Sequence, residues 1–265
     1  MAKLNEDLEA LQNWTFSHGL FLNPDKSYSM IIGHPQIFYK YNRPSTSSLV
    51  LQDKQIPFCS TVRNLGVIFD EHLSWDPHVT SVCQKVFSIL NMLNRFRTLF
   101  TTTLKQRLVE ALLLPHLDYC DVVYSSINAK LVSKLQKAQN ASVRFVCSLR
   151  FYDHISPSYK KLSWLKVDQR RRYHSLCLLH RTLTTQEPKY LISKIQSLPS
   201  YHEHNTRSRD NSHLAIPCHK TSLYTRSFAV SSVRQWNELP GNIRGATTVK
   251  SFKKLLWNYL SDSQK

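Results

Sequence analysis

Leu4, Leu8, Leu11 and Trp14 or Thr15 recur at three- and four-residue spacing from the start of the chain, which predicts an amphipathic helix. Gly19 then stands where the end of that helix calls for a left-handed residue. The next stretch, FLNPDKSYSMII, sets Pro24 and Asp25 between two runs of large apolar groups and reads as strand, turn, strand, with strands over 20–23 and 29–32. Residues 48–70, SLVLQDKQIPFCSTVRNLGVIFD, give further short strands punctuated by Pro57 and Gly66.

From His78 onward the period lengthens and helices dominate. Val79, Val82, Val86, Ile89, Leu93 and Phe96 keep helical spacing, with Lys85, Arg95 and Arg97 in the same segment. A second helix begins near Thr103 and loses continuity around Pro115. Asn128 suits an N-cap for a third, whose Leu131, Leu135, Ala138 and Phe145 share one face while Lys130, Lys134, Lys137 and Arg144 take others. Asp168 suits the N-cap of a fourth, QRRRYHSLCLLHRTL. Two more helices, around 228–236 and 249–260, follow a polar, turn-rich stretch at 199–211, and in WNELP the Trp236, Leu239 and Pro240 group reads as a helix end anchored by an aromatic ring. The fold class expected is α+β: a small part of helix and short antiparallel strands, then a mainly α-helical remainder.

With 42% apolar residues the 265-residue chain can bury a substantial core, as one domain or two, which excludes disorder throughout. Six cysteines are scattered without a C-x-x-C pair and read as free thiols of a reducing compartment. No signal peptide is evident in MAKLNEDLEALQNW, and no apolar run approaches the roughly 18 residues of a membrane span, so the chain reads as intracellular, in nucleus or cytoplasm, with no membrane partner.

Charge changes the picture most. The net charge is +17, yet up to Trp75 six Lys/Arg stand against seven Asp/Glu, leaving 29 bases against 11 acids in the remainder. A basic excess confined to one part attracts polyanions, nucleic acid first among them. Lys130, Lys134 and Lys137 have the spacing of one helical stripe, and with Lys250, Lys253 and Lys254 they are candidates for phosphate contact. Arg170, Arg171 and Arg172 are candidates too, although adjacent helical residues are about 100° apart and cannot all face one ligand.

Catalytic patterns are sparse. His202, His204, His213, Cys218 and His219 are dense, but H-x-H-x(8)-H-x(4)-C-H matches no common structural zinc pattern. No nucleophile elbow is present. Asp118 and Asp121, three apart, read as capping or salt-bridge residues.

Several segments in order carry a resemblance: W-x(4)-GLFLNPDKS, NLGVIFDEHLSWDPHV, LVEALLLPHLDYCDVVY, KLQKAQNASVRFV, and RSFAVSSVRQWNELPGNIR with FKKLL. Together they resemble the last part of the reverse transcriptase of LINE-type, jockey-like non-LTR retrotransposons. The resemblance implies the end of a palm at 1–75, a helical thumb-like region at 76–198 and a C-terminal extension at 199–265. It implies that Lys26 occupies the position of a lysine that assists the departing pyrophosphate, and that Leu65 and Gly66 occupy the primer-gripping hairpin. It implies partners in RNA, DNA or an RNA/DNA hybrid.

The complete family enzyme uses magnesium, two ions about 3.5 to 4 Å apart held by carboxylates. Here no two aspartates are adjacent, so the chain is expected to begin after the catalytic hairpin, to hold no cofactor or metal of its own and to be inactive alone. Three readings stand: a truncated reverse transcriptase fragment that binds nucleic-acid backbone without catalysis, a subunit that completes an active polymerase with an upstream half, and a repurposed helical protein-interaction module.

Overall fold

The computed structural model describes residues 2–34, 36, 49–197 and 213–263. The fold is α+β, with helices far outweighing strands, and the strands form three two-stranded antiparallel sheets among the described residues. The chain divides into two compact units, Met1–His78 and Val79–Lys265. Ser48 and the turn-rich stretch 199–211 lie outside the described residues.

In the first unit, helix α1 (Ala2–Ser17) stops where Gly19 takes φ +70°. The Gly19 N–H donates to the Phe16 carbonyl and the Leu20 N–H reaches back to Thr15, which satisfies the last carbonyls of the helix in a Schellman arrangement. Only Thr15 is buried along α1; the predicted apolar face, Leu4, Leu11 and Trp14 included, is largely exposed.

The two strands expected around the Asn-Pro-Asp turn do not form. Asn23 caps a single 3-10 turn, Pro24–Lys26, by accepting the Asp25 N–H at 2.9 Å, and its flanks do not pair with one another. Ser29 instead makes one isolated bridge to Phe58. A one-residue bridge cannot propagate a ladder, so the propensity of these apolar runs for strand goes unused.

Two tight hairpins follow. Strands β1 (Val50–Leu51) and β2 (Lys54–Gln55) are joined by Gln52 and Asp53, and β3 (Thr61–Asn64) and β4 (Val67–Asp70) by Leu65 and Gly66. All four turn residues have positive φ, the signature of type I′ turns, whose twist matches that of the paired strands. After β4 the Asp70 carboxylate accepts N–H groups from His72 at 3.3 Å, Ser74 at 3.0 Å and Trp75 at 3.0 Å, holding Trp75 buried against Phe69.

Helix α2 (Asp76–Asn94) buries Val79, Val82, Val86, Leu90 and Leu93 but leaves Phe96, beyond its end, exposed. Helices α3 (Thr102–Leu112) and α4 (Leu114–Asp118) meet at the break foreseen near Pro115. Asn128 caps α5 (Ala129–Cys147) through the Leu131 N–H at 3.0 Å. Then come α6 (Ser156–Leu162) and α7 (Val167–Thr185). The residue ahead of α7 is Lys166, with no side-chain cap, so Asp168 is not the N-cap; it lies in the first turn, where a carboxylate favours the helix dipole.

The chain continues through α8 (Lys189–Ile192), β5 (Gln196–Ser197), β6 (Leu214–Ala215), α9 (Ser222–Thr225), α10 (Phe228–Asn237), α11 (Gly241–Arg244) and α12 (Val249–Asp262). Leu176 and Leu179 of α7, Val233 and Trp236 of α10, and Phe252, Leu256 and Leu260 of α12 form one buried cluster. That core joins residues on both sides of position 199. A second, polar layer ties α5 to α6 and α7: Tyr159 donates to Asn140 at 2.8 Å, Gln136 donates to Tyr159 at 2.7 Å, and Gln139 donates to the Leu165 carbonyl at 2.8 Å.

Candidate nucleic-acid interface

Lys26 ends the 3-10 turn with its side chain exposed, beside an ion pair of Asp25 with Lys54 at 2.7 Å. Leu65 and Gly66 form the tip of the β3–β4 hairpin, and Leu65 is 84% exposed at φ +46°. A bulky side chain in the left-handed region is strained, a cost that the type I′ turn of this hairpin imposes.

The three consecutive arginines go to three different partners, the first two inside the fold and the third at its surface. Arg170 pairs with Asp118 through two guanidinium nitrogens. Arg171 is buried; it donates to the carbonyls of Asp121 and Tyr124, and its guanidinium lies 4.5 Å from the centre of the Tyr124 ring. Arg172 reaches Glu238 at 2.8 Å. One helical turn after Arg170, His174 meets Asp121 at 2.6 Å, so the i, i+4 pair on α7 receives Asp118 and Asp121.

Asp118, Asp121 and His174 lie close enough to share a cation. Two guanidinium groups already supply positive charge there, so the geometry is that of a buried ion-pair network. Burial pushes the Asp121 carboxyl up, against the pull of His174 and Arg171.

The lysines differ from the arginines. Lys130 and Lys137 on α5 and Lys250, Lys253 and Lys254 on α12 are exposed, and none makes an ion pair within the described residues. Lys134 is half-buried and donates to the Thr80 hydroxyl at 2.7 Å. With Lys137 and Phe87 it lines a groove of about 570 Å³.

A basic site that the sequence reading did not single out lies at the C-terminal end of α5. Arg97, Lys105, Arg144 and Arg150 line a cavity of about 870 Å³ together with Phe145 and Phe151, and no carboxylate among the described residues lines it. Lys105 is 7% exposed and donates to the Ser148 hydroxyl at 3.0 Å, with its ammonium 5.7 Å from the centre of the Phe145 ring. The signal was present as alternating basic and aromatic residues, RF at 144–145 and RFY at 150–152.

Of the histidine-rich segment, His202 and His204 lie outside the described residues. His219 is engaged with the Pro217 carbonyl at 2.9 Å and with Arg234 at 2.8 Å. No helix among the described residues is long and apolar enough to cross a membrane. Comparison with protein-family models, with curated proteins and with solved structures found no match to the chain.

Proposed function

We propose that the chain is a nucleic-acid-backbone-binding segment of a reverse transcriptase of the LINE type, which makes no use of catalytic carboxylates of its own. The observation that carries this reading is the contrast between the two kinds of cation. Arg170 and Arg171 are engaged inside the fold and Arg172 is paired with Glu238 at the surface, while Lys130, Lys137, Lys250, Lys253 and Lys254 stay exposed without carboxylate partners among the described residues. Flexible unpaired ammonium groups on helices suit phosphates met along a backbone, without base reading.

Titration of an RNA/DNA hybrid duplex at several salt concentrations tests it. Affinity falls steeply with salt, in proportion to the phosphates neutralised, and Lys130→Ala with Lys137→Ala lowers the slope by about 2. Absence of binding even at low salt overturns the reading.

One observation favours a second reading, in which a polymerase half supplied by another chain covers the first unit. Leu4, Leu11, Trp14, Phe16, Leu20 and Phe21 are all exposed there, and a cluster of exposed apolar side chains suits a surface that another chain covers. Recovery of primer extension on adding such a half distinguishes it.

A further inference from the structure

We propose that the basic pocket at the end of α5 holds a phosphate of an unpaired nucleic-acid strand, with the neighbouring bases stacked on Phe151 and Tyr152. It rests on the nucleic-acid reading above and adds to it a preference for a single strand adjoining the duplex.

The electrostatics call for an anion. Lys105 is almost wholly buried, yet its contacts within the described residues are one neutral hydroxyl and a ring face. A buried ammonium without a negative partner is unfavourable. Nε of Arg144 is likewise buried with no acceptor among the described residues, and its guanidinium lies 5.7 Å from the centre of the Phe151 ring. The end of α5 offsets part of this, since a helix C-terminus carries roughly half a negative charge. The Arg144 carbonyl there already accepts the N–H groups of Ser148 and Leu149. Arg97 and Arg150 bring the cations at the cavity to four, against one helix end and the single carboxylate of Asp153, which accepts the Arg150 backbone N–H at 2.6 Å.

The aromatic rim identifies the class of anion. Phe151 is 77% and Tyr152 92% exposed, edge to face at 5.2 Å, directly after Arg150. Aromatic rings held in water beside cations suit base stacking along a charged groove, and an unpaired strand offers base faces that a duplex keeps stacked. A cavity of about 870 Å³ also exceeds what a lone phosphate fills.

The test compares three labelled probes by fluorescence anisotropy with the full chain: a blunt RNA/DNA duplex, the same duplex with an overhang of about 8 nucleotides, and that overhang strand alone. The overhang duplex binds about ten-fold tighter than the blunt one. Phe151→Ala with Tyr152→Ala, both at exposed positions, brings that ratio close to one, and Arg97→Ala with Arg150→Ala reduces it. Equal affinity for blunt and overhang duplexes in the unaltered chain overturns the proposal, as does a ratio that survives loss of both rings. Binding to anionic phosphatidylserine vesicles that depends on the two rings, without any strand preference, overturns it in favour of a membrane surface. Ring-dependent binding of the free strand without duplex binding supports the pocket and instead removes the reading in which the lysines track a duplex.

Discussion

Nδ1 of His174 lies 2.6 Å from the Asp121 carboxylate, which is itself 2% exposed. The pair fixes α7 against the segment that follows α4, beside the Asp118–Arg170 pair. Replacing His174 by alanine leaves a buried carboxylate with one partner fewer, at a cost of about 2 kcal/mol near neutral pH. Because the Asp121 pKa is raised in the fold, its favourable contribution is full below the ordinary carboxylate value and is lost as pH rises through the raised one. The destabilisation by His174→Ala therefore shrinks on acidification, when Asp121 takes up a proton. Urea denaturation of both proteins at neutral and acid pH measures this; a cost independent of pH excludes it.

Asp70 behaves in the opposite sense. Burial pushes its pKa up, but the N–H groups of Ser74, Trp75 and His72 outweigh burial and leave it lowered. Its stabilisation is present above the ordinary carboxylate pKa and is lost as pH falls through the lowered folded value. Asp70→Asn presents an amide where N–H donors converge and is expected to cost about 1 to 2 kcal/mol in the first unit. Trp75 fluorescence, from a ring packed on Phe69, follows that unit through acid titration.

Leu65 invites a trade between stability and binding. Both hairpin-tip residues have positive φ, and Asn-Gly suits such a turn far better than Leu-Gly. Leu65→Asn is expected to stabilise the first unit by about 0.5 to 1 kcal/mol. If the leucine is kept for contact with a primer end, the same change weakens binding to a recessed primer–template. A variant that is both more stable and unaltered in binding removes that role.

The two units differ in how much they bury. Among the described residues, the buried apolar ones before His78 are Leu51, Ile56, Val67 and Trp75, against a continuous cluster through α7, α10 and α12 in the second unit. Amides of α1 and the hairpins are expected to exchange well before those of α5, α7 and α12, since local stability follows buried apolar contact. Equal protection in hydrogen exchange contradicts this.

Local signals carried the sequence reading, and long-range ones limited it. Asn128 as a cap, Gly19 as a helix stop and the break at Pro115 are each set within a few residues, and each forms as read. The strands at 20–23 and 29–32 fail because strand formation needs a partner, which local pattern does not name. Gln136 and Gln139 look like surface positions of an amphipathic helix. Gln139 is fully buried because Tyr159 and the Leu165 carbonyl, brought from elsewhere in the chain, satisfy it. The same holds for Arg170 and Arg172, whose carboxylates lie more than 50 residues away in sequence, so a run of arginines could not be told from a binding face. The pocket at Lys105 escaped because its cations are far apart in sequence: Lys105 and Arg144 lie on α3 and α5, and Arg97 and Arg150 lie beyond the ends of α2 and α5.

The lysine stripe on α5 permits the sharpest division between a structural and a binding cation. Lys130 and Lys137 are exposed, while Lys134, between them, is half-buried with its ammonium 2.7 Å from the Thr80 hydroxyl. If phosphate contact follows exposure, Lys130→Ala and Lys137→Ala each lower the magnitude of the salt slope by about 0.9 for a duplex. Lys134→Ala leaves the slope nearly unchanged and instead destabilises the second unit by about 1 kcal/mol, through the lost bond to Thr80 and the lost packing of its stem. Thermal melts and salt titrations on the three single variants read the two effects separately. Equal slope changes from all three show that Lys134 leaves Thr80 to meet the backbone; no change from any of them moves duplex binding away from α5 altogether.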